Sequence, residues 1–292
     1  VFDEAHYMAG GGSKYSFGLD DANLPVRRRL FLTGTPRVFA DRGAKRASAA
    51  GDGEVTTVRS MDDESLFGPV VYRMSFGRAV EAGLVVPLKL LVYGVGEKYG
   101  ELCARSPELA IAVADRNVSQ LTAELTVGVV HAMNERHLHK AFSFHSTVAE
   151  ARRFARDAAE LAPYLPGEPL EAVAVWGQLG AKLIQARLEQ ARTARRSLVA
   201  NPRVLGTGID APAVDLVVMA RTSRSYVDVR QMTGRAARVA PGKREGHVLL
   251  PVRTPTATDD ASAAGEGVAE AAADPSVDAL GGYDVAVHVI RA

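Results

Sequence analysis

Four short stretches carry side chains suited to phosphate chemistry. Asp3-Glu4-Ala5-His6 sets two adjacent carboxylates beside an imidazole. An aspartate at the C-terminal end of a parallel strand suits Mg²⁺ held through water. A neighbouring carboxylate can orient or deprotonate an attacking water, because phosphoryl transfer rests on positioning and charge neutralisation. Asp3 fits the first role, as metal ligand, and Glu4 the second, with His6 free to hydrogen-bond toward an adjoining domain. Taken alone, an acidic helix start accounts for the same four residues equally well. Thr33-Gly34-Thr35-Pro36 follows, and the Thr33 and Thr35 hydroxyls suit coupling between a hydrolysis site and the next domain. An ordinary exit from a strand into a turn reads the same way. Leu205-Gly206-Thr207-Gly208-Ile209-Asp210-Ala211-Pro212 has glycines that allow close backbone approach to a phosphate or ribose. Gln231-Met232-Thr233-Gly234-Arg235-Ala236-Ala237-Arg238 sets two arginines three apart, on one face if the stretch is helical. Two guanidinium groups aimed at a γ-phosphate stabilise transition-state charge as arginine fingers do; a solvated basic helix end before the Pro241-Gly242 turn is the alternative.

The elements that must position these stretches alternate. Apolar β-rich runs at Arg29–Thr35, Lys89–Gly96, Lys140–Ser146, Glu171–Gly177, Val214–Arg221 and Gly246–Val252 are separated by helical patterns over 118–137, 148–162, 181–199 and 227–238. Strands alternating with helices of that length predict βαβ units and a parallel sheet. From residue 140 onward the strands are nearly unbroken apolar runs, as expected where helices cover both faces. Residues 253–275 carry Val268 as their one bulky aliphatic and no aromatic, which predicts a flexible acidic linker; residues 276–292 regain apolar character and are expected to begin a further element.

A length of 292 residues, 47% of them hydrophobic and 24% charged, suits two ordinary globular domains. No run of about 18 apolar residues predicts a membrane span, and no export signal is visible. One cysteine, Cys103, cannot form an internal disulfide and fits a reducing, cytoplasmic setting. The net charge of +1 divides into −5 over residues 253–292 and +6 over the part that carries the motifs. Seven of the 35 basic side chains are lysine and the other 28 arginine. That excess permits phosphate-backbone contacts, and a GC-rich genome also enriches arginine.

Taken together and in this order, the motifs resemble those of superfamily-two DEAD/DEAH-box helicases and translocases: DEAH resembles motif II, TGTP motif III, LGTGIDAP motif V and QMTGRAAR motif VI. FSFHSTVAEARRF, residues 142–154, resembles motif IV, and RRRLFLTGTPRVF and SLFGPVVYRMSFGRAVEAGL look like a bacterial subgroup of restriction-type helicases with helicase-associated repeats. The resemblance spans residues 1 to about 252. It implies an α/β fold with two RecA-like domains, ATP and Mg²⁺ in the cleft between them, and a nucleic-acid strand, DNA in preference to RNA, crossing both. By position, the family assigns Asp3 and Glu4 to metal and water. It assigns Gly208 and Asp210 to nucleotide, Thr207 and Ser146 to the nucleic-acid backbone, and Gln231, Arg235 and Arg238 to the triphosphate. The chain departs from many relatives at Tyr7 (often arginine), Gly34 (often alanine) and Thr207 (often acidic). The first two bear on coupling and the third on nucleic-acid contact.

A motif I phosphate loop, GxGK[ST], belongs upstream of DEAH and is not found in the chain. The nearest match, Gly10-Gly11-Gly12-Ser13-Lys14-Tyr15, puts tyrosine where the hydroxyl ligand belongs. The expected organisation is therefore an incomplete RecA-like domain 1 over 1–86, a complete RecA-like domain 2 over 87–252, a linker over 253–275, and the start of a further element over 276–292. Two functions fit. One is an ATP-dependent helicase or translocase that is inactive as this isolated chain. The other is a non-catalytic module that binds nucleic acid or completes an ATPase site in trans with a separate chain carrying motif I. An intrinsic nuclease is disfavoured, since no acidic metal cluster appears beyond DEAH.

Overall fold

The computed structural model describes residues 1–10, 14–39, 45–47, 55–202, 214–223, 225–252 and 283–291. The chain divides into two compact units, Val1–Met74 and Ser75–Ala292. The division precedes the boundary expected near residue 86 because the segment before the first long strand joins the second unit: the Val86 amide donates to Ala237 O at 2.8 Å.

In the first unit, the opening residues run parallel to the stretch before TGTP. Phe2 pairs with Phe31, its amide donating to Leu30 O at 2.8 Å and its carbonyl accepting from the Leu32 amide at 2.9 Å. The Ala5 amide then reaches Leu32 O at 2.9 Å. Arg29–Thr35 is thus extended only through this single bridge and not a strand along its length, since it meets no further ladder partner among the described residues. Short 3-10 helices span Ala5–Met8 and Lys14–Leu19, and β1 (Lys45–Ala47) pairs antiparallel with β2 (Val55–Thr57). α1 (Glu64–Phe67) starts at Asp63, whose carboxylate accepts from the Ser65 amide. Ala5, Met8, Ala9 and Phe67 form a small core. The Phe2 and Phe31 rings stack at 5.4 Å, and Phe31 meets Phe67 edge-on at 5.1 Å.

The second unit is a six-stranded, wholly parallel sheet with helices on both faces. Its strands are β3 (Leu88–Gly94), β4 (Lys140–His145), β5 (Glu171–Ala174), β6 (Ser197–Pro202), β7 (Leu216–Met219) and β8 (Gly246–Val252), in the order β3-β8-β7-β4-β6-β5. Its helices are α2 (Phe76–Glu81), α3 (Val95–Arg105), α4 (Pro107–Asp115), α5 (Gln120–Glu135), α6 (Val148–Leu161), α7 (Ala181–Thr193), α8 (Tyr226–Ala236) and α9 (Asp284–Arg291). Period-two alternation sorts the strand side chains. Ala141, Leu198, Ala200, Leu216, Val218 and Leu249 meet α3, α5 and α6. Phe142, Phe144, Val199, Val217, Met219 and Val248 meet α7, α8 and α9.

Two expectations change. The helix predicted over 181–199 stops at Thr193, and Ser197–Pro202 is β6, lying between β4 and β5. Lys140 accounts for the stop: its ammonium donates to the carbonyls of Ala191, Arg192 and Ala194, groups left over at a helix end. The strand run expected over Lys89–Gly96 ends at Gly94, its last two residues opening α3, and residues 97–115, unassigned from sequence, complete α3 and form α4. Of the further element expected over 276–292, α9 packs against α8 and β3, and the Tyr283 hydroxyl just before it donates to Met219 O at 2.9 Å. The expected linker lies outside the described residues. No helix among the described residues is long and apolar enough to cross a membrane.

Candidate functional site

DEAH and TGTP meet in the first unit because their backbones run side by side. Past the Phe2 bridge, Glu4 takes a left-handed conformation (φ 50°, ψ 41°) ahead of the 3-10 helix. A non-glycine residue holds this backbone only where its surroundings enforce it. Here the Glu4 amide donates to the exposed Asp3 Oδ1 at 2.8 Å, and its own carboxylate turns back on His6. His6 is completely buried. Its Nδ1 lies 3.0 Å from Thr33 Oγ1, 3.1 Å from Thr35 Oγ1 and 3.2 Å from Glu4 Oε2. The Thr35 amide donates to Thr33 Oγ1 at 3.1 Å and fixes the pair of hydroxyls. One ring nitrogen carries one proton or one lone pair, so three oxygens compete for a single bond at this atom. Burial, and then the charge of Arg37, lowers the His6 pKa; the imidazole is neutral at pH 7, and its contact with Glu4 is a hydrogen bond more than an ion pair.

Asp3, Glu4, His6, Thr33 and Thr35 therefore form one cluster. Arg37, directly after TGTP, is a member that sequence reasoning missed, with its guanidinium 5.9 Å from the centre of the Tyr7 ring. The Glu4 pKa is raised, first by burial and second by Asp3. Two adjacent carboxylates that repel one another are a fit for a hard divalent cation, which takes oxygen ligands and retains water. No group of three or more His, Cys, Asp or Glu side chains is placed to hold a metal ion among the described residues. Of the nearest phosphate-loop match, residues 11–13 lie outside the described residues.

In the second unit the strand order reverses around β4: the chain adds β6 on one side of it and β7 on the other. The crevice beyond the carboxyl ends of parallel strands at such a point is where this architecture binds ligands. Ser146 stands there, exposed, its amide donating to Glu150 Oε2 at 3.0 Å, while Thr147 caps α6. His145 beneath it is buried and pushed down to about 4 by desolvation. Its Nε2 is 3.0 Å from Ser143 Oγ, and Asn201 Nδ2 donates to Ser143 O at 3.2 Å, tying the end of β4 to that of β6. β6 leads into 203–213, so Thr207, Gly208 and Asp210 lie outside the described residues.

α8 begins at Ser225, whose hydroxyl accepts from the Asp228 amide. Gln231 is half-buried on it, and Arg235 is 7% exposed, its pKa pushed down to about 10 by burial and by the charge of Arg238. The two guanidinium groups are electrostatic neighbours, but not on one helical face: α8 ends at Ala236, and Arg238 is exposed beyond it. Lys243 explains the stop. Its ammonium donates to Val214 O and Ala236 O, both at 2.6 Å, and to Arg238 O at 3.1 Å. A lysine seven residues past a helix end gives no sequence signal of that role.

Residues 120–240 match the helicase conserved C-terminal domain. Among solved structures, the ATP-dependent Type ISP restriction-modification enzyme LlaBIII bound to DNA is 25% identical, with a TM-score of 0.62 over 87% of this chain and 18% of that one. A nuclease-deletion mutant of the Type ISP enzyme LlaGI in complex with a DNA substrate mimic is 22% identical, with a TM-score of 0.48 over 86% of this chain and 15% of that one. The chain thus spans less than a fifth of either enzyme. No curated protein matches it by sequence.

Proposed function

We propose, from the premise that this chain carries the C-terminal domain of a superfamily-two helicase, that it serves ATP-driven translocation on DNA. The observation that carries this reading is the His6 cluster, which joins the DEAH carboxylates to both TGTP hydroxyls. A buried imidazole needs a hydrogen-bond partner in any fold, and what supports coupling is that oxygens of both stretches gather on the same nitrogen. DNA is preferred to RNA because the LlaBIII enzyme, similar over most of this chain, is bound to DNA.

Mg²⁺, when bound, supplies neutralisation of phosphate charge, and Asp3 would hold it. Glu4 orients the attacking water and accepts its proton, a role helped by the raised affinity of its carboxyl for protons. Neutral His6 changes partners among Glu4, Thr33 and Thr35, so that the state of the carboxylate is passed to the TGTP turn. Arg235, held by α8, and Arg238 present positive charge to the triphosphate. Ser146 and Thr207 hold the nucleic-acid backbone, and Gly208 and Asp210 the nucleotide.

The 292 residues contain no GxGK[ST] sequence, and by themselves are expected not to hydrolyse ATP. With a phosphate-loop segment supplied on the same or a separate chain, DNA-stimulated hydrolysis is expected, falling roughly 10³-fold in Arg235→Ala and comparably in Glu4→Gln. Hydrolysis by the 292 residues alone that disappears in Glu4→Gln would refute the first expectation. Undiminished hydrolysis in the complemented Arg235→Ala protein would refute the assigned roles. A module that binds nucleic acid and completes an ATPase site in trans is the second reading, favoured by salt-dependent DNA binding without turnover after complementation.

A further inference from the structure

A groove of about 910 Å³ runs along the outer side of the β5 edge, from Thr147 at the start of α6 to Gln190 on α7. A second hollow of about 530 Å³, lined by Arg116 and Asn117, shares Arg153 and Arg156 with it. The two form one path beside α6, a helix about 20 Å long at 1.5 Å per residue.

Its chemistry is arginine around one indole. Arg152 from α6 and Arg187 from α7 each place a guanidinium 5.3 Å from the centre of the half-buried Trp176 ring. Glu150 and Glu171 line the groove and Glu160 the second hollow, against Arg116, Arg152, Arg153, Arg156 and Arg187; Glu150 accepts from the Ser146 amide, and Glu171 from the Gln190 side chain at 2.6 Å. Asp157 holds Arg156 at 2.6 Å. Arg152 and Arg153, both exposed, have no ion pair among the described residues. A merely solvated helix face would account for scattered arginines, but not for two elements turning arginine onto the same aromatic ring.

We propose that this groove is a phosphate-backbone track for a single nucleic-acid strand, with Trp176 as a stacking platform for one of its bases. The proposal rests on the DNA-translocation reading and extends it past Ser146, the residue immediately before the groove. A strand offers one phosphate charge every 3.4 Å to a row of guanidinium groups, and every base has a face that stacks on an aromatic ring. An acidic peptide adding to the β5 edge fits less well. Peptide addition needs the free backbone groups of the edge, and Arg187 Nη1 already donates to Ala174 O at 2.5 Å.

The chain has a single tryptophan, so emission excited selectively from tryptophan reports on the groove alone. The full 292-residue chain is titrated with an oligothymidylate of about 20 nucleotides, longer than the track, while Trp176 emission and the anisotropy of an end-labelled strand are followed. Emission should be quenched in step with binding. The double variant R152E/R153E should bind about tenfold or more weakly, with a salt slope shallower by about 1.4, the share of two phosphate contacts on a single strand. Arg153→Glu leaves the Arg152–Trp176 contact intact and should lose about half of that slope, which separates charge loss from misfolding. Binding with unchanged emission and unchanged slopes in both variants overturns the track while leaving the DNA-translocation reading in place. Absence of any binding by the parent chain counts against that reading and the track together. Equal quenching by polyglutamate at matched charge overturns the track in favour of an acidic protein partner.

Discussion

Gly246→Ala tests the way α8 is seated. A Cβ built on Gly246, the first residue of β8, falls 2.0 Å from Ala236 O, 2.6 Å from Ala236 C and 3.0 Å from Leu88 Cδ2. The first two atoms are backbone, so no side-chain rotation relieves them, and β8 or the end of α8 must shift to make room. Neither is free to do so. β8 is paired on both sides, with Leu88 opposite Gly246 and Leu216 opposite His247, and the Gly246 amide donates to Pro87 O at 2.9 Å. On α8, Val229, Met232 and Ala236 are fully buried. Overpacking of this kind costs about 1–3 kcal/mol, and the rigid neighbours here argue for the upper half of that range. For a domain of this size, about 2–3 kcal/mol lowers the melting temperature by roughly 4–12 °C. Thermal unfolding followed through Trp176, which reports on the second unit alone, measures it. A variant melting within about 1 °C of the parent would show that Ala236 and Gly246 are not in contact.

Two further changes test other parts of the same unit. Gly234 lies inside α8, exposed, and a Cβ added to it would meet nothing within 4 Å, so Gly234→Ala should stabilise by about 0.5–1 kcal/mol; a lower melting temperature would contradict the helix interior assigned to it. His145 stays neutral in the fold down to about pH 4, whereas in the unfolded chain it takes a proton near 6.5. Its contribution is complete above pH 6.5 and is lost as pH falls toward 4, to a total of about 3 kcal/mol. Urea unfolding at pH 7 and pH 4.5 should show the parent losing most of that amount more than His145→Gln does, and parallel profiles would refute the buried neutral imidazole.

Much of the second unit was legible in the sequence because its signals are local. β4, β7 and β8 are apolar runs, and α5, α6 and α7 begin where periodic patterns begin. β6 was not, because ARTARRSLVAN has no glycine or proline to separate helix from strand, and the break depends on Lys140, more than fifty residues away. The early end of α8 was hidden for the same reason, being set by Lys243. The first unit was harder still: Arg29–Thr35 has a strand's composition, but extended structure requires a partner and only Phe2 provides one among the described residues. Residue types singled out the DEAH and TGTP stretches, whereas their convergence on a single nitrogen of His6 required the parallel path of two backbones.

The pairing of β3 with β8 also sets a schedule for synthesis. Leu88 lies opposite Gly246, 158 residues later, and β3 has no other strand neighbour in the sheet among the described residues. At about 5–20 residues per second on the ribosome, β3 waits roughly 8–30 s for its partner to be made. During that interval Leu90 and Leu91 belong to a strand with both edges open, the kind of segment that pairs with other chains. Closing the sheet is then the last parallel pairing the emerging chain completes, and the nascent polypeptide is most exposed to misassembly just before β8 appears.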